Sequence, residues 1–296
     1  MTTPMESKSR FAQALRAQRL VITAECQPPL GADGGAAKKL AASIPQTVNA
    51  VIVSENHEEI RSCALAFAAL LVKENLDPIL PLVTRDRNRI ALQSDALGAC
   101  GLGIANLLCV SGDHQTLGVC PQAGGAFDID PVQTLQALKA LQANGSKAAQ
   151  PPAFCLGAVA HPYLRPMKLN LIQTKKKVEA GAQFLLTQPL WDLAGFAEWM
   201  KALGELPVAI LASVRPLASA AQAEELQKRH KAAAIPDALI ARLRKAADPA
   251  KEGLAICAEV AAKAKEIQGV RGVNILSAGR EDAVAAIIEQ AGLTRA

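Results

Sequence analysis

The chain of 296 residues is 50% hydrophobic and only 3% aromatic, so it can bury a large core built mainly of Leu, Ile, Val and Ala. Its 32 basic and 27 acidic residues leave a formal charge of +5, which is spread along the chain without an arginine-rich arm. This balance gives little support to nucleic-acid binding. The seven cysteines, an odd number without a CxxC pair, argue against a zinc site or a disulfide framework and fit a reducing cytoplasm.

The N-terminal segment carries no targeting signal that we recognise. Residues 1–18 lack an apolar signal core and are typical of a helical lead-in to the fold. No later stretch approaches the apolar length needed to span a bilayer. We therefore expect a cytoplasmic protein that does not use a membrane as a partner.

Eight short apolar runs recur along the chain, and continuous runs of this length are typical of parallel strands buried on both faces. In order they are Leu20–Glu25, Ala50–Ser54, Pro78–Thr84, Asn106–Ser111, Phe154–Ala160, Phe184–Gln188, Val208–Ser213 and Gly272–Ser277. Eight such runs separated by helical segments predict a single (β/α)₈ TIM barrel over residues 1–296, in the α/β class and with no second domain.

Segments between these runs have the three- and four-residue apolar spacing of amphipathic helices. The clearest are Glu58–Glu74, Val132–Ala143, Ala221–His230 and Lys251–Gln268. Asn144–Pro152 is rich in Gly, Ser and Pro and is predicted to be a loop. The longest loop, Gly112–Pro131, follows the fourth strand, and loops that follow barrel strands form the rim on which active sites are built.

Polar residues at the ends of three predicted strands are candidates for a common site. Glu25 closes the first strand, where partial burial would make it a general acid, although a solvated rim glutamate has the same position. Ser111-Gly112-Asp113 ends the fourth strand and could place charge beside a bound ring or simply form a turn. Gln188 ends the sixth strand after Thr187, and its amide could bind the edge of a heterocycle.

Other charged clusters allow two interpretations each. Arg85-Asp86-Arg87-Asn88-Arg89 follows Thr84, and could bind an anion or form a salt-bridged helix start. Lys175-Lys176-Lys177 is predicted to open the helix before the sixth strand as a solvated face, although one of the lysines could turn inward. His161 follows the fifth strand at the rim. The four histidines lack metal-ligand spacing, so we expect no metal, and neither a GxGxxG nor a GxxxxGK[ST] motif occurs.

Several motifs in a fixed order resemble the methylenetetrahydrofolate reductase family. They are Glu25-Cys26-Gln27-Pro28-Pro29, the arginine cluster after Thr84, Leu102–Asn106, Ser111-Gly112-Asp113, Phe127-Asp128-Ile129-Asp130, Lys177–Ala182 and Thr187-Gln188. The likeness covers most of the chain, from Val21 to the eighth strand. The arginine cluster and the Phe127–Asp130 element are most similar to the short reductases of anaerobic, one-carbon-metabolising bacteria.

The resemblance implies a reaction and a role for particular residues. It implies a flavin enzyme that interconverts methylene- and methyl-tetrahydrofolate, with FAD, or alternatively FMN, as the cofactor. Glu25 matches the acid that protonates the folate, Asp113 the aspartate between the flavin and folate rings, and Gln188, with Thr187, the contact to the pterin. The implied flavin contacts are Ser54, Thr84, Gly112, His161 and Lys177.

The resemblance also has gaps, which leave alternatives open. Leu82 stands where the family often has a histidine, and Leu217–Ala220 replaces a stretch with a stacking phenylalanine. A tyrosine that is common in the family after the fifth strand is expected to be missing, since the only tyrosine is Tyr163. Electrons would come from NAD(P)H or from a companion electron-transfer subunit in an oligomer. The alternatives are a folate-binding subunit without its own NAD(P)H oxidation, or a non-catalytic binder. A pterin-dependent methyltransferase barrel is a third interpretation.

Overall fold

The computed structural model of the chain describes residues 7–144, 151–230 and 232–293. Its eight strands run parallel and close into one barrel, in which β1 pairs with both β2 and β8. The strands are β1 (Val21–Cys26), β2 (Ala50–Val53), β3 (Pro78–Val83), β4 (Asn106–Val110), β5 (Cys155–Ala160), β6 (Phe184–Thr187), β7 (Ala209–Val214) and β8 (Val270–Ile275). The predicted (β/α)₈ barrel is confirmed, since every predicted strand forms within about two residues of its expected bounds.

Helices surround the barrel on its outer face, except for the first helix, which covers the N-terminal end of the barrel. They are α1 (Arg10–Arg16), α2 (Ala36–Ser43), α3 (Ala64–Lys73), α4 (Arg89–Gly101), α5 (Pro131–Asn144), α6 (Met167–Glu179), α7 (Leu193–Leu203), α8 (Ala220–Arg229), α9 (Asp237–Lys245), α10 (Pro249–Ala264) and α11 (Ala283–Gln290). Three predicted helices correspond to α5, α8 and α10. The predicted loop Asn144–Pro152 falls mostly on residues 145–150, which lie outside the described residues.

The helix predicted from Glu58 begins only at Ala64, so its start was wrong. Upstream, the Asn56 side chain accepts a hydrogen bond from the Arg61 backbone N–H at 2.7 Å and donates one to the Arg61 carbonyl at 3.2 Å. Short polar side chains that bond nearby backbone in this way compete with helix formation. The segment before Ala64 therefore remains a loop at the rim, where Glu58 lines a cavity.

Helix α1, which lies within the predicted lead-in of residues 1–18, closes the N-terminal end of the barrel. Phe11 is fully buried and meets the Phe184 ring edge-on, with 4.9 Å between ring centroids. The Ser9 hydroxyl donates to Asn106 Oδ1 at 2.6 Å, and Asn106 Nδ2 donates to Asp77 Oδ1 at 2.7 Å. A buried polar network thus anchors the helix to β4, leaving the other end of the barrel open for a site.

We expect Asn106→Ala to lower the free energy of unfolding by about 2 kcal/mol, because it removes the three hydrogen bonds of the Asn106 side chain and leaves the half-buried Asp77 carboxylate with one partner fewer. Urea denaturation monitored by circular dichroism measures the change. A loss below about 0.5 kcal/mol would mean that the network does not anchor α1.

Side chains of each strand point alternately into and out of the barrel. On β1, Val21 packs inside the barrel with Phe11, whereas Ile22 and Ala24 pack in the outer layer against the helices. Thr23 has the same inward register as Val21, and its hydroxyl donates to Asn274 Oδ1 at 2.8 Å in the interior. This two-residue alternation decides which side chains reach the mouth of the barrel.

Candidate functional site

Six polar or glycine positions continue the inward register to the C-terminal mouth of the barrel. Each stands an even number of residues beyond an interior apolar residue of its own strand. They are Glu25, Ser54, Gly112, His161, Gln188 and Arg215. Parallel strands all end on this side, so these residues, from six different strands, converge at one site.

Two cavities open at this mouth. The larger, of about 670 Å³, has walls that include His161, Gln188 and Trp191. The smaller, of about 300 Å³, is lined by polar groups that include Glu25. Asp113 and Arg215 line both cavities. The two spaces therefore adjoin at these two residues, and one ligand or two neighbouring ligands could occupy them together.

Glu25 is half-buried at the wall of the smaller cavity, where its carboxyl group has a side-chain hydrogen bond with Ser54. Burial raises the pKa of Glu25, and nearby Glu281 and Glu58 act in the same direction. Arg215 and the Ser54 hydrogen bond oppose this rise without cancelling it. Glu25 thus holds a proton at a higher pH than an exposed glutamate, as a general acid requires.

Gln188 and His161 form a side-chain pair in the larger cavity. They share a hydrogen bond, and the Gln188 amide nitrogen donates a second one to the Ala232 carbonyl, which fixes the orientation of the amide. Removal from bulk water lowers the pKa of His161, and the charge of Lys177 adds to this effect. The imidazole is thereby biased towards its neutral form, so the pair offers neutral donors and acceptors to a ligand.

Gly112 and Asp113 form a tight bend after β4 that directs the aspartate into the mouth. Gly112 has φ +75°, and a Cβ atom there would lie 2.6 Å from Val83 Cγ1. Only glycine fits this backbone without displacing β3. The Asp113 carbonyl accepts a hydrogen bond from Arg85 Nη1 at 2.9 Å, which leaves the Asp113 carboxylate exposed to both cavities.

Two residues predicted to contact ligands have the outward register instead. Thr84 and Thr187 are buried and line neither cavity. The Thr187 hydroxyl accepts a hydrogen bond from the Ser213 backbone N–H at 2.8 Å. Thr187 therefore joins β6 to β7 at the position directly before Gln188.

The lysine run lies in the last turns of α6, so the prediction that it opens the helix was wrong. Lys175 and Lys176 are exposed, whereas Lys177 turns inward and donates to the Val159 carbonyl at 2.6 Å. Burial lowers the pKa of Lys177. The Lys177 ammonium lies behind His161 rather than in either cavity, and it acts on the site through its charge.

The arginine cluster after β3 connects the rim loops by ion pairs, which favours the structural interpretation of this motif. Arg87 bonds Glu55 at 2.9 Å, and Arg89 makes a bidentate pair with Asp128 at 2.8 and 2.9 Å. Arg89 holds the pKa of Asp128 down at about 2. The Phe127–Asp130 element therefore serves to hold the long loop after β4 against β3.

Sequence reasoning missed two features of the mouth. Arg215 directly follows β7 and lines both cavities, and its position at a strand end was the signal that could have identified it. The second feature is Tyr163, because the family's tyrosine after the fifth strand was expected to be missing. Tyr163 follows β5, lines the larger cavity beside Trp191 and donates to the Asp192 carbonyl at 2.7 Å.

No helix in the described part of the chain combines the length and apolarity that crossing a membrane would require. Within residues 7–144, 151–230 and 232–293, no group of three or more His, Cys, Asp or Glu residues is arranged to hold a metal ion.

A family model for methylenetetrahydrofolate reductase matches residues 10–292 of the chain. The chain belongs to this family. The match covers all eight strands and every residue of the mouth described above, so the predicted family is confirmed. No curated protein matches the chain.

Solved structures of similar fold extend the comparison. A Clostridium thermocellum protein that binds two copies of 5-methyl-5,6,7,8-tetrahydrofolic acid superposes with a TM-score of 0.66 and 15% identity, over 94% of this chain and 96% of that chain. The 2,3-dimethylmalate lyase of the PEP mutase/isocitrate lyase superfamily superposes with a TM-score of 0.54 and 15% identity, over 94% and 83% of the two chains. At such low identity, both likenesses support the barrel fold alone.

Proposed function

We propose that this member of the methylenetetrahydrofolate reductase family is a flavin-dependent enzyme that interconverts 5,10-methylene- and 5-methyl-tetrahydrofolate. The observation that carries the proposal is the position of Glu25, whose pKa burial raises, on the wall of a cavity that Asp113 also lines. A protein that only bound folate would have little need of a buried acid placed in this way.

Glu25 would supply the proton that opens the methylene bridge of the folate. Burial keeps the carboxyl group neutral at a pH where exposed glutamates are ionised, and the Ser54 hydrogen bond fixes the orientation of the carboxyl. In the reverse direction the same group takes the proton back. Proton transfer from a positioned side chain contributes about 10²- to 10⁴-fold to a rate.

Asp113, after β4, and Gln188, after β6, would orient the pterin from the same part of the mouth. The Asp113 carboxylate can accept two N–H groups of a pyrimidine edge, and the Gln188 amide can both donate and accept. Thr187 would act indirectly, because its hydrogen bond to β7 fixes the strand end that carries Gln188.

The larger cavity has the walls that a planar flavin ring would need. Trp191 and Tyr163 form apolar walls, and the Gln188–His161 pair offers polar contacts. His161 would contact the ring, and Gly112 would line the adjoining smaller cavity, while Ser54, Thr84 and Lys177 would support the site from behind. When bound, the flavin supplies the hydride relay between the donor and the folate. The electrons would come from NAD(P)H or from a partner protein.

Asp113→Asn tests whether Asp113 acts on both the folate and the flavin. Loss of the carboxylate should weaken methyl-tetrahydrofolate binding about tenfold, since charge-assisted hydrogen bonds become neutral ones. The flavin potential should become less negative, because a negative charge beside the ring opposes its reduction. Calorimetric titration and spectroelectrochemistry measure the two effects. If neither quantity changes, Asp113 serves only the bend.

The pH dependence of the folate half-reaction tests Glu25 as the acid. The rate should be constant at low pH and fall by about tenfold per pH unit above the pKa of Glu25, because only the protonated carboxyl donates. Because burial raises this pKa, the fall should begin above the pH at which an exposed glutamate titrates. Anaerobic stopped-flow of the reduced protein with methylene-tetrahydrofolate provides the profile. A rate that rose with pH would contradict the assignment.

A second candidate function is a folate-binding subunit of an electron-transfer complex that oxidises no NAD(P)H itself. It is favoured by the finding that Ser54, Thr84 and Lys177 line neither cavity, although all three residues were predicted to contact the flavin. Such a subunit would bind methyl-tetrahydrofolate but would not be reduced by NADH or NADPH. Stopped-flow mixing with each nucleotide separates the two candidates.

A further inference from the structure

Arg215 has an unusual environment for a charged residue. It follows β7 at the point where the two cavities meet, and its Nε atom is buried without a hydrogen-bond partner. Among the described residues, no side chain forms a hydrogen bond with its guanidinium, and no acidic oxygen lies within 4.0 Å of it. A buried donor without an acceptor is costly, so a group in this state usually serves a ligand.

The other arginines of the cavities are engaged by the protein. Arg85 bonds Asp86 at 2.6 Å and the Asn56 carbonyl at 2.8 Å, and Arg165 donates to the Pro162 carbonyl at 3.2 Å. The donors of these two side chains are therefore held in place by the chain itself. Arg215 differs because its donors are left for whatever enters the mouth.

The acidic neighbours do not neutralise Arg215. The charge of Arg215 lowers the pKa of Glu25, but burial raises this pKa by more. The carboxyl group of Glu25 therefore carries less negative charge than that of an exposed glutamate. Glu55, on the wall of the same cavity, is paired with Arg87 at 2.9 Å. Asp113 lines the same junction, but its carboxylate oxygens do not lie within 4.0 Å of the Arg215 guanidinium, so the donors of Arg215 are left for a bound ligand.

We propose that Arg215 is a recognition residue of this site, whose guanidinium binds a ring carbonyl or carboxylate oxygen of the ligand where the two cavities meet. The inference rests on the proposed function and names a residue that this function does not require. A guanidinium is a planar fork of donors that suits a pair of oxygens or a conjugated lactam edge. Both folate and flavin carry such oxygens, so either of them could supply the acceptor.

The test compares three variants by calorimetric titration with methyl-tetrahydrofolate and by visible titration with FAD. Arg215→Met removes the donors, and Arg215→Lys keeps the charge but not the fork. Arg244→Met is the matched control: Arg244 lies on α9, forms an exposed ion pair with Glu224 of α8 and lines neither cavity, so its replacement removes the same charge away from the site.

We expect Arg215→Met to weaken one ligand about 10- to 100-fold, Arg215→Lys to weaken it less, and Arg244→Met to leave it unchanged. A loss confined to methyl-tetrahydrofolate assigns the acceptor to folate, and a loss confined to FAD assigns it to the flavin. The thermal stability of Arg215→Met should be unchanged or higher, because the variant removes a buried donor that has no partner. If the arginine were structural, its removal would instead leave a less stable protein.

Equal affinities for both ligands in wild type and Arg215→Met would overturn this inference alone and leave the proposed function standing. If the wild type binds neither methyl-tetrahydrofolate nor FAD, the proposed function fails and the inference fails with it. A lower melting temperature together with unchanged affinities would assign Arg215 to the fold instead.

Discussion

Replacement of Glu25 by glutamine is expected to slow reduction of methylene-tetrahydrofolate by about 10²- to 10⁴-fold, while reduction of the flavin by its electron donor continues at the normal rate. Glutamine keeps the shape and the hydrogen bond to Ser54 but has no acidic proton to give. Only the half-reaction that needs a proton on the folate should therefore fail. Anaerobic stopped-flow of each half-reaction measures the two rates separately.

The stability of this variant serves as its control. Because burial raises the folded-state pKa of Glu25, the ionised carboxylate costs stability as the pH rises from the unfolded to the folded pKa. Glutamine avoids this cost, so the variant should be no less stable than the wild type at neutral pH. Folate turnover near the wild-type rate in a folded Glu25→Gln protein would remove the proposed mechanism.

Gly253→Ala is expected to destabilise the protein by about 3 kcal/mol, although alanine is the better helix former. Gly253 is buried within α10, and a Cβ atom there would lie 1.7 Å from the Leu217 carbonyl oxygen. Backbone cannot move aside as a flexible side chain can, and Leu217 is only two residues beyond Arg215. The substitution should therefore displace the segment that positions the arginine.

Gly98→Ala is the matched control for this effect. Gly98 lies on the exposed side of α4, and a Cβ atom there would meet nothing within 4 Å. Alanine at this position should stabilise the protein by about 0.5–1 kcal/mol. Urea denaturation of the two variants should give shifts of opposite sign. A stabilising Gly253→Ala would mean that α10 and the loop after β7 are not in close contact.

The fold was predictable because each strand is a continuous apolar run with a helical segment on either side. Local polar contacts explain the main error in the predicted helix bounds. The apolar spacing from Glu58 favours a helix, but the hydrogen bonds between Asn56 and Arg61 hold this segment as a loop. Such pairings depend on side-chain conformations that hydrophobic periodicity does not report.

The site was predictable only in part, for a reason that lies in the strands themselves. A strand buried on both faces has no apolar–polar alternation, so its inward face cannot be identified from its sequence. Glu25 and Gln188 were placed at the mouth by their position at strand ends, whereas Thr84 and Thr187, which the resemblance implied as ligand contacts, point outwards. Arg215 has the position of an ordinary rim arginine, and its lack of a partner follows only from packing.

The most direct test of the central proposal is an anaerobic visible spectrum of the purified protein before and after addition of methyl-tetrahydrofolate. A flavin absorption band that bleaches on addition is the predicted result, because methyl-tetrahydrofolate would then reduce the bound flavin in the reverse reaction. A protein that stays colourless after incubation with FAD and with FMN would contradict flavin-dependent reduction.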